Sequence, residues 1–295
     1  MGGIEDSGIV GIRGILAFMV HAKKSLGQNF LNSKSVARDI VRAANLVEGE
    51  TILEIGPGKG FLTTELLSAG AHVLAVEKDD RMIPLLQEKF AEEIIQKKFT
   101  LIHGDILEFI TGASPIGSTS RVPEVEPMGS LELPSSYKLV ANIPYSLTGM
   151  IIRSFLEASK KPERMVLMVQ KEVAMRIVAR DKKESILSIA VKVYGTPKLV
   201  KKVPARYFTP SPKVDSAILS IENISGKNFP TKAREKAFFE ILHAGFAHKR
   251  KFLAGNLKNF LGDKTLSILA EAPVPEKSRA ENLTLDQWLK ISSLV

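Results

Sequence analysis

The 295-residue chain contains no cysteine. Disulfides, thiolate zinc sites and cysteine nucleophiles are thereby excluded. Its five histidines (His21, His72, His103, His243, His248) fall at no spacing that a metal site uses, so no metal is expected. No apolar run is long enough to span a bilayer, and no membrane association is expected. The apolar stretch 15–20 follows Glu5 and Asp6 and precedes Lys23 and Lys24, which is too short and wrongly flanked for a signal peptide. Residues 1–20 therefore read as a poorly ordered extension, with Met19 an alternative start, and the cytoplasm is the expected location. Acidic residues also run short: 32 Asp and Glu against 41 Lys and Arg leave a net charge of +9. Such an excess favours a polyanionic partner, most often nucleic acid.

What is present alternates. Short apolar runs at 51–55, 71–76, 100–103, 137–141 and 165–169 read as buried strands, separated by helical patterns at 61–69, 81–90 and 148–158. Strands alternating with helices predict an α/β fold, a Rossmann-like, mostly parallel sheet with helices on both faces. Residues 198–203 and 217–221 read as an antiparallel edge hairpin. Residues 111–136 are rich in Gly, Pro and Ser without a period and read as an inserted surface loop. Beyond residue 224 only helical patterns remain, near 232–247, 249–260, 264–270 and 285–291. The expected organisation is an extension over 1–20, an α/β domain over 21–224 and a helical domain over 225–295. The last segment holds twelve Lys or Arg and seven Asp or Glu, a net of +5, densest at His248-Lys249-Arg250-Lys251. This bias suits phosphate contact, although an exposed basic helix start is often merely solvated.

Two segments carry chemistry. Glu54-Ile55-Gly56-Pro57-Gly58-Lys59-Gly60 closes the first strand and opens the first helix, so its backbone can approach a ligand closely. Glu77, ending the second strand, is placed to accept both hydroxyls of a ribose. Glu54 would repel a pyrophosphate, and Lys59 lacks the Ser or Thr that a phosphate-binding loop requires. A carboxylate there suits a cofactor bearing an ammonium and a sulfonium, as S-adenosylmethionine does, with Asp105 accepting from its adenine amine. The second segment is Asn142-Ile143-Pro144-Tyr145, where a strand opens into a loop. An amide oxygen and a neighbouring carbonyl can accept from one exocyclic amine while a ring stacks on the heterocycle. A strand-ending turn with a packed tyrosine is an equally good reading of the tetrapeptide alone.

With these residues in view, the chain resembles the ribosomal RNA adenine dimethyltransferases, most closely their bacterial small-subunit, kasugamycin-sensitivity branch. The likeness runs from about His21 to the C-terminus. It includes Lys23-Lys24-Ser25-Leu26-Gly27-Gln28-Asn29-Phe30-Leu31, the glycine loop, Glu77, Gly104-Asp105, the tetrapeptide at 142–145, and Phe208-Thr209-Pro210-Ser211-Pro212-Lys213-Val214-Asp215-Ser216. The resemblance implies a class I S-adenosylmethionine-dependent methyltransferase acting on two adjacent adenosines of small-subunit RNA in a pre-30S particle, as a monomer. It implies that Asn29, Leu31, Gly56, Glu77, Asp105 and Asn142 hold the cofactor. Asn142, Ile143, Pro144, Tyr145 and Phe208 would form the catalytic site, with Tyr145 and Phe208 sandwiching the target adenine. Lys23, Lys24, Arg206, Lys213, Lys249, Arg250 and Lys251 would contact RNA. Ile143 stands where small-subunit enzymes commonly carry Leu. Phe208 also reads as a core anchor, and Arg206 and Lys213 as ordinary surface charges. Two other functions stay open: a large-subunit methylase of the erythromycin-resistance type, and a non-catalytic assembly or transcription factor derived from a methylase. The segment 246–253, followed by Asn256-Leu257, resembles the small-subunit enzymes and favours the first.

Overall fold

The computed structural model describes residues 22–23, 27–111, 126–127 and 132–295. The extension 1–20, Lys24 and most of the inserted loop lie outside the described residues.

Ten strands follow in chain order: β1 (Phe30–Leu31), β2 (Thr51–Ile55), β3 (His72–Glu77), β4 (Phe99–His103), β5 (Glu126–Pro127), β6 (Lys138–Asn142), β7 (Arg164–Gln170), β8 (Thr196–Val203), β9 (Phe208–Thr209) and β10 (Ser216–Glu222). Eight of them form one sheet in the order β5-β4-β3-β2-β6-β7-β10-β8. Pairings from β5 through β7 are parallel, and β10 runs antiparallel to both β7 and β8. The expected parallel sheet with an antiparallel edge hairpin is the observed one.

The chain winds outward from β2 through β3 and β4, then returns to the other side of β2 with β6 and β7. The carboxyl ends of β2 and β6 therefore flank a topological switch point, where open α/β sheets bind ligands. Side chains alternate across the sheet. Leu139, Ala141, Met165, Leu167 and Val169 join one buried cluster, and Val140, Val166 and Met168 the other. Helices α1 (Lys34–Ala44), α2 (Phe61–Ser68) and α3 (Ile83–Lys89) bury apolar residues in the second cluster. On α1 these are Val36, Ala37, Ile40 and Ala44, spaced for one helical face. The short helix α4 (Ala91–Ile95) precedes β4, and α5 (Ile106–Thr111) follows it.

The other face carries α6 (Thr148–Glu157), α7 (Lys171–Ile177) and α8 (Ile186–Lys192), and its cluster continues without a break into the C-terminal helices. These are α9 (Lys232–Gly245), α10 (Leu253–Leu261), α11 (Thr265–Glu271) and α12 (Leu285–Ser293). Phe238, Leu242 and Trp288 belong to the same apolar cluster as Leu139 and Leu219.

Two expectations need correction. Inside the loop at 111–136, β5 adds a two-residue parallel strand beside β4. An open sheet edge offers unpaired N–H and C=O groups to any extended backbone, so no side-chain pattern announces such a strand. The basic run at 248–251 also precedes α10 and sits in a turn, rather than opening the helix at 249.

Candidate active site

A cavity of about 260 Å³ opens at the switch point. Its walls come from the glycine loop after β2, the ends of β3 and β4, residues 142–147 after β6, and the N-terminal segment 27–31. The last is brought in by the antiparallel pairing of Phe30 with Thr209 and Leu31 with Phe208.

The glycine loop requires its glycines. Gly56, Gly58 and Gly60 all have positive φ, a region that side chains disfavour. A Cβ on Gly60 would stand 2.5 Å from the Phe90 ring. Gly56 lines the cavity, and a Cβ there would meet no atom within 4 Å, so it would project into ligand space.

Beneath the loop, Glu54 is fully buried and accepts from the Thr63 hydroxyl at 2.7 Å. Burial pushes its carboxyl up to about 8. Glu77 is also buried, and burial raises it as well. Its two oxygens accept from Gly58 N (2.9 Å) and Asp79 N (2.8 Å). That leaves lone pairs on both oxygens for a diol. Asp105 receives Lys78 Nζ at 2.6 Å and Leu107 N at 3.0 Å.

Across the cavity, the Asn142 side-chain N–H donates to the Asn29 carbonyl at 3.0 Å. A carbonyl only accepts, so the amide nitrogen must face Asn29, and Oδ1 faces away, without a hydrogen-bond partner among the described residues. The Tyr145 hydroxyl bonds to Ser216 Oγ, which fixes the ring.

The cavity thus gathers Asn29, Leu31, Gly56, Glu77, Asp105, Asn142, Ile143, Pro144 and Tyr145. Phe208 is not among its walls. It is 3% exposed and packs with Leu31, Ile40 and Val203 in the second core cluster. Lys23 reaches Asp79 at 3.5 Å. Arg206 lies over the Tyr207 ring, and Lys213 is exposed.

Asp79, which motif reading passed over, and Gln28 and Phe30, which it named without a role, complete the site. Asp79 is buried at the foot of the N-terminal segment and accepts from Gln28 Nε2 at 2.8 Å. The Arg81 guanidinium beside it holds its carboxyl well below the usual range. Phe30 lines the cavity, with Lys59 Nζ 5.4 Å from its ring centre. Gln28 and Phe30 lie in the run 23–31, but nothing local marks Asp79 as their anchor.

The model for ribosomal RNA adenine dimethylase matches residues 19–295. This chain belongs to that family. The chain is 42% identical over 277 residues to a ribosomal RNA small subunit methyltransferase A of Dehalococcoides mccartyi (strain CBDB1), covering 93% of this chain and 88% of the relative. A protein of the same description from Clostridium botulinum (strain Loch Maree / Type A3) is 35% identical over 276 residues, covering 92% and 93%. Among solved structures, a dimethyladenosine transferase from Plasmodium falciparum superposes with a TM-score of 0.68 at 25% identity, over 89% of this chain and 95% of that one. The 23S rRNA methyltransferase ErmE superposes at 0.66 with 24% identity, over 90% and 98%, and shares the fold.

Proposed function

We propose that the protein transfers methyl groups from S-adenosylmethionine to the exocyclic amines of two adjacent adenosines in the 3′-terminal hairpin of small-subunit ribosomal RNA, during ribosome biogenesis. The observation that carries this reading is the Asn142 amide, turned by the Asn29 carbonyl so that its oxygen is free at the cavity.

The donor set suits the cofactor. Glu77 would hold the ribose, Asp105 the adenine amine, and Gly56 would lie against the methionine part, with Asn29, Leu31 and Asn142 closing over it. When bound, the cofactor supplies a methyl group on a positively charged sulfur. An aromatic amine is a poor nucleophile because its lone pair is delocalised into the ring. Asn142 Oδ1 and the Ile143 carbonyl, accepting its two N–H bonds, would favour a tetrahedral nitrogen and free the lone pair. Pro144 keeps these two acceptors in a rigid frame. No strong base is required, since the proton leaves after attack; positioning and electrostatics supply the acceleration.

Tyr145 would stack on the unstacked adenine, offsetting about 1–3 kcal/mol of the cost of extruding it. Phe208 is buried outside the cavity and would have to move to form the second wall. Residues 225–295, with Lys249, Arg250 and Lys251, would form the RNA-binding helical domain. Lys23, Arg206 and Lys213 would add contacts around the cavity.

A large-subunit target is the competing reading, and the names of the small-subunit relatives weigh against it. The deciding assay incubates the protein with labelled S-adenosylmethionine and each unmodified ribosomal subunit, then maps the label. Label in the small-subunit 3′ hairpin is the expected result. Label on large-subunit RNA would overturn the choice.

A further inference from the structure

Helices α8, α9 and α12 begin on Ser185, Thr231 and Thr284, whose hydroxyls accept from first-turn N–H groups. Helix α10 begins instead on Phe252, and α11 on Lys264; neither is capped by a side chain, and α10 differs in presenting an aromatic ring there. Small polar residues are strongly preferred at this position because they satisfy the free amides. The phenyl ring is not compensated by packing, since Phe252 is 49% exposed. A broken local rule without packing gain is where a functional or strained position is expected.

The ring has distinctive neighbours. Lys249, Arg250 and Lys251 directly precede it, all exposed, and none meets a carboxylate among the described residues. In the same group of helices Lys232, Lys236 and Lys290 each meet a glutamate, while Lys258 and Lys264 meet none among the described residues; the run 249–251 differs in placing three such cations together beside the ring. In the first turn of α10, Gly255 is exposed, and a Cβ there would meet nothing within 4 Å. Packing does not demand that glycine, and alanine would favour the helix more. Gly255 follows Phe252 by three residues, so bare backbone stands in the turn that the exposed ring opens. The turn is rigid. Buried Asn256 donates through Nδ2 to the carbonyls of Gly245 (2.6 Å) and His248 (3.1 Å), and Leu253 N donates to Ser278 O at 2.8 Å.

We propose that Phe252 is a stacking platform for an unpaired RNA base. Lys249, Arg250 and Lys251 hold the flanking phosphates, and Gly255 lets the strand lie close to the helix. Exposed cations beside an exposed ring match the two elements of single-strand recognition, an electropositive track and an aromatic face. A duplex keeps its base faces stacked and would leave the ring in water. This inference deepens the reading of the chain as an enzyme of ribosomal RNA and rests on it.

The test uses the full chain and unmodified small-subunit particles over a series of salt concentrations. Phe252→Ser supplies a capping hydroxyl, so its fold is expected to hold. Binding should weaken about ten-fold, the scale of one lost stack, with an unchanged slope of log affinity against log salt. Replacing Lys249, Arg250 and Lys251 by Gln should flatten that slope, since released counterions set it. Phe252→Trp should bind like the wild type, and the fluorescence of its new indole should be quenched by RNA. The chain's one natural tryptophan, Trp288, is buried and serves as a constant background. Wild-type affinity in Phe252→Ser, or fluorescence that RNA leaves unquenched in Phe252→Trp, overturns the platform. A deficit on particles that vanishes on their protein-stripped RNA also overturns it, because the ring would then face a ribosomal protein. Failure of the wild type to prefer small-subunit particles would instead sink the proposed function.

Discussion

Asn142 donates its side-chain amide to the backbone carbonyl of Asn29 at 3.0 Å, joining positions 113 residues apart. One hydrogen bond thus fixes the rotamer of the acceptor amide and ties the N-terminal segment to the end of β6. Asn142→Ala should lower the methyl-transfer rate by about 10²–10³-fold, the scale of one lost electrostatic contact at a reacting centre. Asn142→Asp should in addition weaken cofactor binding, because a carboxylate would face the Asn29 carbonyl acceptor to acceptor. Single-turnover rates and cofactor titration of the two variants separate the effects. Wild-type cofactor affinity in Asn142→Asp would refute the tie.

Asp79 anchors the same segment from below, through Gln28 and Lys23. Asp79→Asn keeps the shape and removes the charge. Residues 27–31 should then exchange amide hydrogens faster, and the cofactor should bind about ten-fold more weakly, as expected for loss of a charge-assisted hydrogen bond. Unchanged exchange in the segment would show that the β1–β9 pairing alone holds it.

Glu54 gives a pH signature. Burial lifts its folded-state pKa to about 8 from an ordinary 4.5. Between these values the folded protein keeps a proton that the unfolded chain has lost, so stability falls as pH rises from about 4.5 to 8 and levels off above. Glu54→Gln should lack that loss. Thermal melts at pH 5 and pH 8.5 should show the variant gaining on the wild type at the higher pH; parallel behaviour would contradict the burial argument. A sulfonium-bearing ligand beside Glu54 favours its charged form, so binding near pH 7 should release protons. Calorimetry in buffers of different ionisation enthalpy reads this directly.

Gly245 ends α9 against the indole of Trp288. A Cβ there would stand 2.3 Å from the ring and 3.0 Å from Leu253. Gly245→Ala should destabilise the protein by about 1–3 kcal/mol through overpacking. Denaturant unfolding measures it, and wild-type stability would mean that the indole moves at little cost.

Much of the fold was legible because its signals are local. The run 51–55 breaks at Gly56, and the order of strands and helices follows from apolar spacing. The cofactor loop and the tetrapeptide at 142–145 are likewise contiguous. Strand β5 was not legible, since edge pairing uses backbone groups that every residue carries. Phe208 was ambiguous for a similar reason: an aromatic between prolines suits a stacking wall or a core, and its burial with Leu31 and Ile40 depends on segments far apart in the chain. Asp79 carried no local signal, because its partner Gln28 lies 51 residues away.

Sequence by itself determined the absence of thiol chemistry, the basic excess, the strand-helix order, the glycine loop and the family. These depend on composition and on residues close together in the chain. Tertiary structure alone decided which way the Asn142 amide points, that Glu54 carries a raised pKa, that Asp79 grips the N-terminal segment, and that Phe252 stands in solvent beside three exposed cations. Hydrogen-bond partners and burial are set by contacts between distant segments, and these exist only once the chain has folded.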